Sequence, residues 1–225
     1  MVVRSLLAPW PGKVGRRLTV LGPTAAAADA AAVAGVAPAV EAALGPGVHG
    51  GRVVGFAPLR IEPWSTARAR HRRAALERAG GAAVALRLDV ADCFRTISPQ
   101  AVAAALRAVG APRTAIDEVG RFLARTAAAG VPGLPAGPDP SVVLANAVLR
   151  ALDRAAGEGR GYLRWYDDLL ILAPGSAAAA RLEAAIAAAA AEVGLRLHPA
   201  KRRVAVGPIA VRRLILGGAG SRCPP

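Results

Sequence analysis

Lysine is almost missing from this chain, which has only Lys13 and Lys201. Two cysteines, Cys93 and Cys223, are too few for a disulfide framework and lack metal-ligand spacing, as expected in a reducing compartment. Aromatic residues fill 4% of positions. No apolar run reads as a membrane span. The Ala-rich stretches 25–44 and 177–195 carry Asp29 and Glu41 in the first, and Arg181, Glu183 and Glu192 in the second. The residues before Pro11-Gly12 are too short an apolar run for a secretory signal, so a cytoplasmic protein without membrane contact is expected. Neither an internal repeat nor a long linker divides the 225 residues.

What the chain does have is apolar mass and positive charge. Hydrophobic residues fill 54% of positions, enough to close a substantial core and exclude disorder as the main state. Lys+Arg number 29 against 15 Asp+Glu, a net charge of +14 carried almost wholly by arginine. Such an excess points first to a polyanionic partner such as nucleic acid. The cluster Arg68, Arg70, Arg72 and Arg73 reads equally as a solvated basic helix face or a phosphate contact.

Local patterns divide the chain further. Residues 17–21 are strand-like, and an Ala-rich helix is expected to run to about Leu44. Val84, Leu86 and Leu88 alternate with Ala85, Arg87 and Asp89, the period of a strand. Ser98-Pro99 reads as a helix cap and first helical residue, Gly110 as its stop, and a second helix covers about 114–128. A Gly/Pro-rich loop over 131–138 leads to Asp139-Pro140, another cap pair, opening a helix to about Ala156. Strand runs 162–165 and 169–172 flank a turn of Tyr166, Asp167 and Asp168. Ser176 then caps a helix ended by Gly194, and 203–216 is strand-like again. Strand, helices, hairpin, helix, strand is the split arrangement of an α+β, ferredoxin-like antiparallel sheet backed by helices. Such a sheet brings Asp89 beside Asp167 and Asp168.

Clustered carboxylates repel one another unless a positive charge lies among them. Hard oxygen ligands suit Mg²⁺, with Mn²⁺ able to take its place. Two such ions about 3.5–4 Å apart can activate a hydroxyl and stabilise departing pyrophosphate, the chemistry of nucleotidyl transfer. The bland alternative is a polar turn, which aspartate favours.

At these residues the chain resembles a bacterial reverse transcriptase. Leu88-Asp89-Val90-Ala91-Asp92-Cys93-Phe94-Arg95-Thr96-Ile97 is similar to the family's first catalytic motif, and Tyr162-Leu-Arg-Trp-Tyr-Asp-Asp168 to its metal-binding hairpin. Gly133-Leu-Pro-Ala-Gly137, with Ser141 and Leu144-Ala145-Asn146, resembles the motif that cradles template and incoming nucleotide. Gly194-Leu-Arg-Leu-His-Pro-Ala-Lys201 resembles the lysine-bearing segment that follows, and Arg213-Leu-Ile-Leu-Gly217 the primer-grip hairpin. The resemblance implies a polymerase palm over 82–217, a fingers-like region over 1–81 and a short tail, 218–225. It implies an RNA template, a DNA or RNA primer, and deoxynucleotides as substrates. Asp89, Asp167 and Asp168 would hold two metal ions with help from the Val90 carbonyl, and Phe94 would gate against ribose. Arg17 and Arg52, in the fingers-like region, are candidates for the triphosphate.

Departures from the family pattern shape the rest. Ala136 replaces a common Gln, Asp139-Pro140-Ser141 replaces the usual Ser-Pro step, and Trp165 stands where Tyr is frequent. The pattern is closer to retron-like and antiviral-defence enzymes than to retroviral ones. Only eight residues follow Gly217, leaving no thumb, so a protein or RNA partner is expected to replace it. Lys201, a compact ammonium in an arginine-rich chain, reads either as a proton donor to pyrophosphate or as a surface lysine. Asn146, the only asparagine, either lines the nucleotide face with Ser141 or bonds internally. Phe94 also reads as core. His49, His71 and His198 form no ligand set. Untemplated or protein-primed synthesis and a non-catalytic RNA-binding module are the alternatives; a nucleotide cyclase is disfavoured by the lack of a Gly-Gly-acidic hairpin.

Overall fold

The computed structural model describes residues 3–10, 13–137, 139–157, 159 and 161–217, with side chains from Thr19 onward apart from Asp139. The expected tail, 218–225, lies outside the described residues. Strands β1 (Val3–Trp10) and β2 (Lys13–Leu21) pair antiparallel. The Ala-rich run then makes two helices, α1 (Pro23–Ala34) and α2 (Ala37–Ala43), where one was expected. Pro38 is the cause: it has no amide hydrogen to donate and its ring blocks the turn before it. Gly35 lies at the break, where an added Cβ would sit 3.0 Å from that of Ala115. No single helix among the described residues is long and apolar enough to cross a membrane; α1 and α2 pass by length and composition only together, across a 53° bend.

A two-stranded sheet, β3 (Val53–Phe56) and β4 (Leu59–Ile61), precedes α3 (Trp64–Arg78). Next come β5 (Val84–Asp89), the short α4 (Cys93–Thr96), α5 (Pro99–Ala108) and α6 (Arg113–Ala128). Ser98 caps α5 as expected, its hydroxyl accepting from the Ala101 amide at 3.1 Å. Helix α7 (Asp139–Ala155) opens one residue earlier than expected, and its stripe Leu144, Val148 and Leu152 is fully buried. Strands β6 (Tyr162–Trp165) and β7 (Asp168–Ala173) form the hairpin. Asp168 is therefore the first residue of a strand and not part of the turn. Gly175, not Ser176, caps α8 (Ser176–Glu192). Gly194 follows it with φ +75°, the left-handed conformation open to glycine.

The second half of the expected terminal strand is a helix. Strand β8 (Arg203–Val206) stops at Gly207, and Pro208 opens α9 (Pro208–Gly217). Ala210, Val211, Leu214 and Ile215 recur at helical spacing and pack on the sheet. The segment resembling a primer-grip hairpin is thus helical.

The four-stranded sheet runs β6-β7-β5-β8, antiparallel throughout, which is the ferredoxin-like order. Its two faces differ. Val84, Leu86 and Leu88 of β5, with Leu169 and Ile171 of β7, join the main core with α5 to α8, and Val33, Val36 and Val40 belong to the same cluster. Ala85, Leu163, Leu170, Leu172 and Ala205 form a second cluster with Ala75 of α3 and Val211 of α9. Asp89 and Asp168 lie at the upper rim of this second face, since alternate residues of a strand share a side.

Candidate active site

The sheet register builds the site. Asp89 ends β5 directly opposite Asp168, and Asp168 also faces Trp165 across the hairpin. The turn is only Tyr166 and Asp167, with Tyr166 at φ +54°. The Val90 amide donates to the Asp167 carbonyl at 3.0 Å, and the Val90–Leu197 bridge lies on its other side. The N–H and C=O of an extended residue point the same way, so the Val90 carbonyl faces the hairpin. Sequence reasoning expected Asp89, Val90, Asp167 and Asp168 to meet, and the backbone brings all four together.

Each opposed carboxylate holds its own cation. Lys201 Nζ donates to Asp89 Oδ1 at 2.7 Å. The lysine comes from a single 3₁₀ turn, 199–201, anchored where the His198 amide donates to the Asp89 carbonyl at 2.7 Å. Arg87, two residues before Asp89, donates from Nε to Asp168 Oδ1 at 2.8 Å and Oδ2 at 2.9 Å, and from Nη2 to Oδ2 as well. Burial pushes the Asp168 carboxyl up, Asp89 adds to the rise, and Arg87 opposes it. Among the described residues no three His, Cys, Asp or Glu side chains converge as a metal group. The opposed pair Asp89 and Asp168 nevertheless fits a hard divalent ion by donor chemistry: both are carboxylates, and both already hold positive charge.

Phe94 is half-buried on α4. Its carbonyl accepts from the Leu134 amide at 2.7 Å, and Gly133, at φ +66°, presses against the Phe94 and Arg95 backbone so closely that a Cβ would collide. The Gly-rich loop is thereby tied to the segment that resembles the first catalytic motif. The Thr19 amide donates to Ala136 at 2.6 Å, and Gly137, at φ +124°, lies exposed beyond it.

Three expected nucleotide contacts are placed otherwise. Ser141 is fully buried, and its hydroxyl has no hydrogen-bond partner among the described residues. Asn146, 1% exposed, spends its polar atoms internally: Nδ2 donates to the carbonyls of Gly50 and Gly51, each at 3.1 Å, and Oδ1 accepts from Arg164. Arg52 is held by Glu41, Nε to Oε1 at 2.5 Å, and by the carbonyls of Gly45 and Val48. It orders its own loop instead of reaching toward a triphosphate. The Arg17 side chain lies outside the described residues, although its backbone pairs with Leu7.

Sequence reasoning missed two features. The first is Arg87, whose signal was present as the one basic residue in an apolar strand. The second is a packed group beside the turn. His71 lies 5.6 Å from Trp165 and 5.2 Å from His49 between ring centroids, Trp64 stands edge-on to Trp165 at 5.7 Å, and Arg68 sits 5.3 Å over the Trp165 ring. Burial lowers His49 to about 4 and His71 to about 3, with nearby arginines adding to both, so the pair meets edge to face as neutral rings. Of the arginine cluster, Arg70 pairs with Glu62 at 2.5 Å, while Arg72 and Arg73 are exposed.

The family model described as reverse transcriptase (RNA-dependent DNA polymerase) matches residues 51–215, spanning β5, β7 and the helices between them. No curated protein matches the chain. With most of its length inside that match, the chain belongs to the reverse transcriptase family.

Proposed function

We propose that this chain is an RNA-directed DNA polymerase that adds deoxynucleotides at Asp89, Asp167 and Asp168 by two-metal nucleotidyl transfer. The observation that carries the reading is the register of β5 and β7, which sets Asp89 against Asp168 beside a two-residue turn. Bound Mg²⁺ or Mn²⁺ would lower the pKa of the primer hydroxyl and neutralise charge on the leaving pyrophosphate. Asp89 and Asp168 would hold the ions, with Asp167 and the Val90 carbonyl beside them. Lys201, which hydrogen-bonds Asp89, would give a proton to the departing pyrophosphate. Phe94, fixed through Leu134 and Gly133, would stand beneath the incoming sugar and reject a 2′-hydroxyl.

One observation favours a second reading. Helix α9 occupies the segment where the resemblance put a primer-gripping hairpin, so the primer end must be held differently. Protein-primed or untemplated synthesis of the retron or antiviral-defence kind, with a protein or RNA partner for the duplex, accommodates this.

The test is primer extension on a primed RNA template with deoxynucleotides and Mg²⁺ or Mn²⁺, with the products sequenced. Template-complementary DNA is expected, and Asp168→Ala should reduce the rate at least ~10³-fold. DNA unrelated to the template would select the second reading. RNA binding without synthesis in either metal would defeat both.

A further inference from the structure

We infer that Arg164 is a positioning residue of the catalytic turn, a buried strut that fixes Tyr166 and the two aspartates after it to helix α7. The inference rests on the polymerase reading for its consequence, though not for its geometry.

Arg164 lies on β6, two residues before Tyr166, and is fully buried. Its guanidinium is spent in two directions. Nε and Nη2 grip Asp153 of α7 at 2.7 and 2.8 Å, and Tyr162 Oη donates to the same carboxylate at 2.8 Å. Nη1 points the other way, donating to Asn146 Oδ1 at 2.7 Å and to the Tyr166 carbonyl at 3.0 Å. Asn146 in turn donates to Gly50 and Gly51. That loop lies against the turn from outside: a Cβ on Gly50 would come within 2.5 Å of the Tyr166 nitrogen. Tyr166 holds φ +54°, a conformation that costs energy in a residue with a side chain. It is thus clamped on one side by the glycine loop and on the other by a charged hydrogen bond from the core.

A purely stabilising role does not account for this arrangement. Buried ion pairs rarely hold a fold better than well-packed apolar residues of the same size. An apolar replacement could fill the volume of Arg164 and Asp153, but it could not donate to the Tyr166 carbonyl. The pair therefore supplies direction: Asp153 aims the guanidinium, and the guanidinium sets the turn. Asn146 and Asp153, seven residues apart on one helix face, are the two fixed points on α7.

The test replaces the network with apolar side chains in the full chain, as the triple variant Asp153→Leu, Tyr162→Phe, Arg164→Met. Three quantities are read: the melting temperature, hydrogen exchange at the Val90 amide, which the Asp167 carbonyl protects, and single-turnover primer extension. The melting temperature should fall only modestly, because losing the buried ion pair costs little while Asn146 Oδ1 and the Tyr166 carbonyl lose their donor. Val90 exchange should accelerate at least ~10-fold as the turn loosens. The extension rate should fall about 100-fold, with KM for the deoxynucleotide changing less than ~3-fold, the signature of misplaced reacting groups. Unchanged Val90 exchange and an unchanged rate would overturn the inference. If the triple variant fails to fold, Arg164→Lys decides on the same readouts: it keeps the charge beside Asp153 but lacks the two-way fork, so wild-type Val90 protection in it overturns the proposal. If the unaltered chain makes no DNA, the polymerase reading fails, while the exchange measurement still decides whether Arg164 sets the turn.

Discussion

Arg87 shows how much one side chain can settle at this site. It stands on the same strand as Asp89 and neutralises Asp168 on the next, so two carboxylates face each other without a bare repulsion. Asp168 is 19% exposed and Arg87 27%, shielded enough for the pairing to matter. Removing the cation by Arg87→Gln should destabilise the metal-free protein by on the order of 2 kcal/mol. Mg²⁺ binding the same carboxylates should recover much of that loss. The check is thermal melting with a chelator and then with Mg²⁺: the gap between variant and unaltered chain should narrow on adding the ion. The sequence made Asp89 and Asp168 legible because strand alternation and a short turn are local patterns. Arg87 was read only as a position in that alternation. The bonds of Asn146 and Arg52 were hidden because their partners, Gly50, Gly51 and Glu41, meet them only after the loop over 45–53 folds onto α7 and α2.

Among the elements, α1 carries the most unusual burden. Asp29 is fully buried within it, and neither carboxylate oxygen has a partner among the described residues. Burial raises its pKa from 3.8 to about 7. Between those values the folded chain keeps a proton that the unfolded chain releases, so stability falls as pH rises from about 4 to about 7 and stays low above. Asp29→Asn removes the ionisation. The variant should melt at a higher temperature than the unaltered chain at pH 8, by at most about 4 kcal/mol of stability, and almost level with it at pH 4. Denaturation followed across that pH range measures both limits. Elements whose signals were local, β5 and α5 above all, read correctly: alternation gave the one, and the Ser98-Pro99 cap gave the other. Helix α9 did not. Val211 and Ile215 suit a strand by composition, but Pro208 at the start and the 211, 214, 215 spacing suit a helix, and the sheet face beneath them agrees with the helix.

At the scale of the molecule, two helices decide how nucleic acid can approach. Because α3 and α9 roof the lower part of the face that carries Asp89 and Asp168, Ala85, Leu170 and Leu172 are closed to any ligand. A duplex can touch this face only along its upper rim, and the excess of arginine supplies attraction that is general and weakened by salt. Contact of that kind is broad in reach but shallow in grip. Under the polymerase reading the chain alone should work distributively, releasing its product after few additions. Primer extension with an excess of unlabelled competitor added at the start should give a ladder of short products, and long products under that trap would contradict the expectation. The roofed sheet would then make strand length a property of whatever holds the duplex in place, and the palm itself would govern only the addition of each nucleotide.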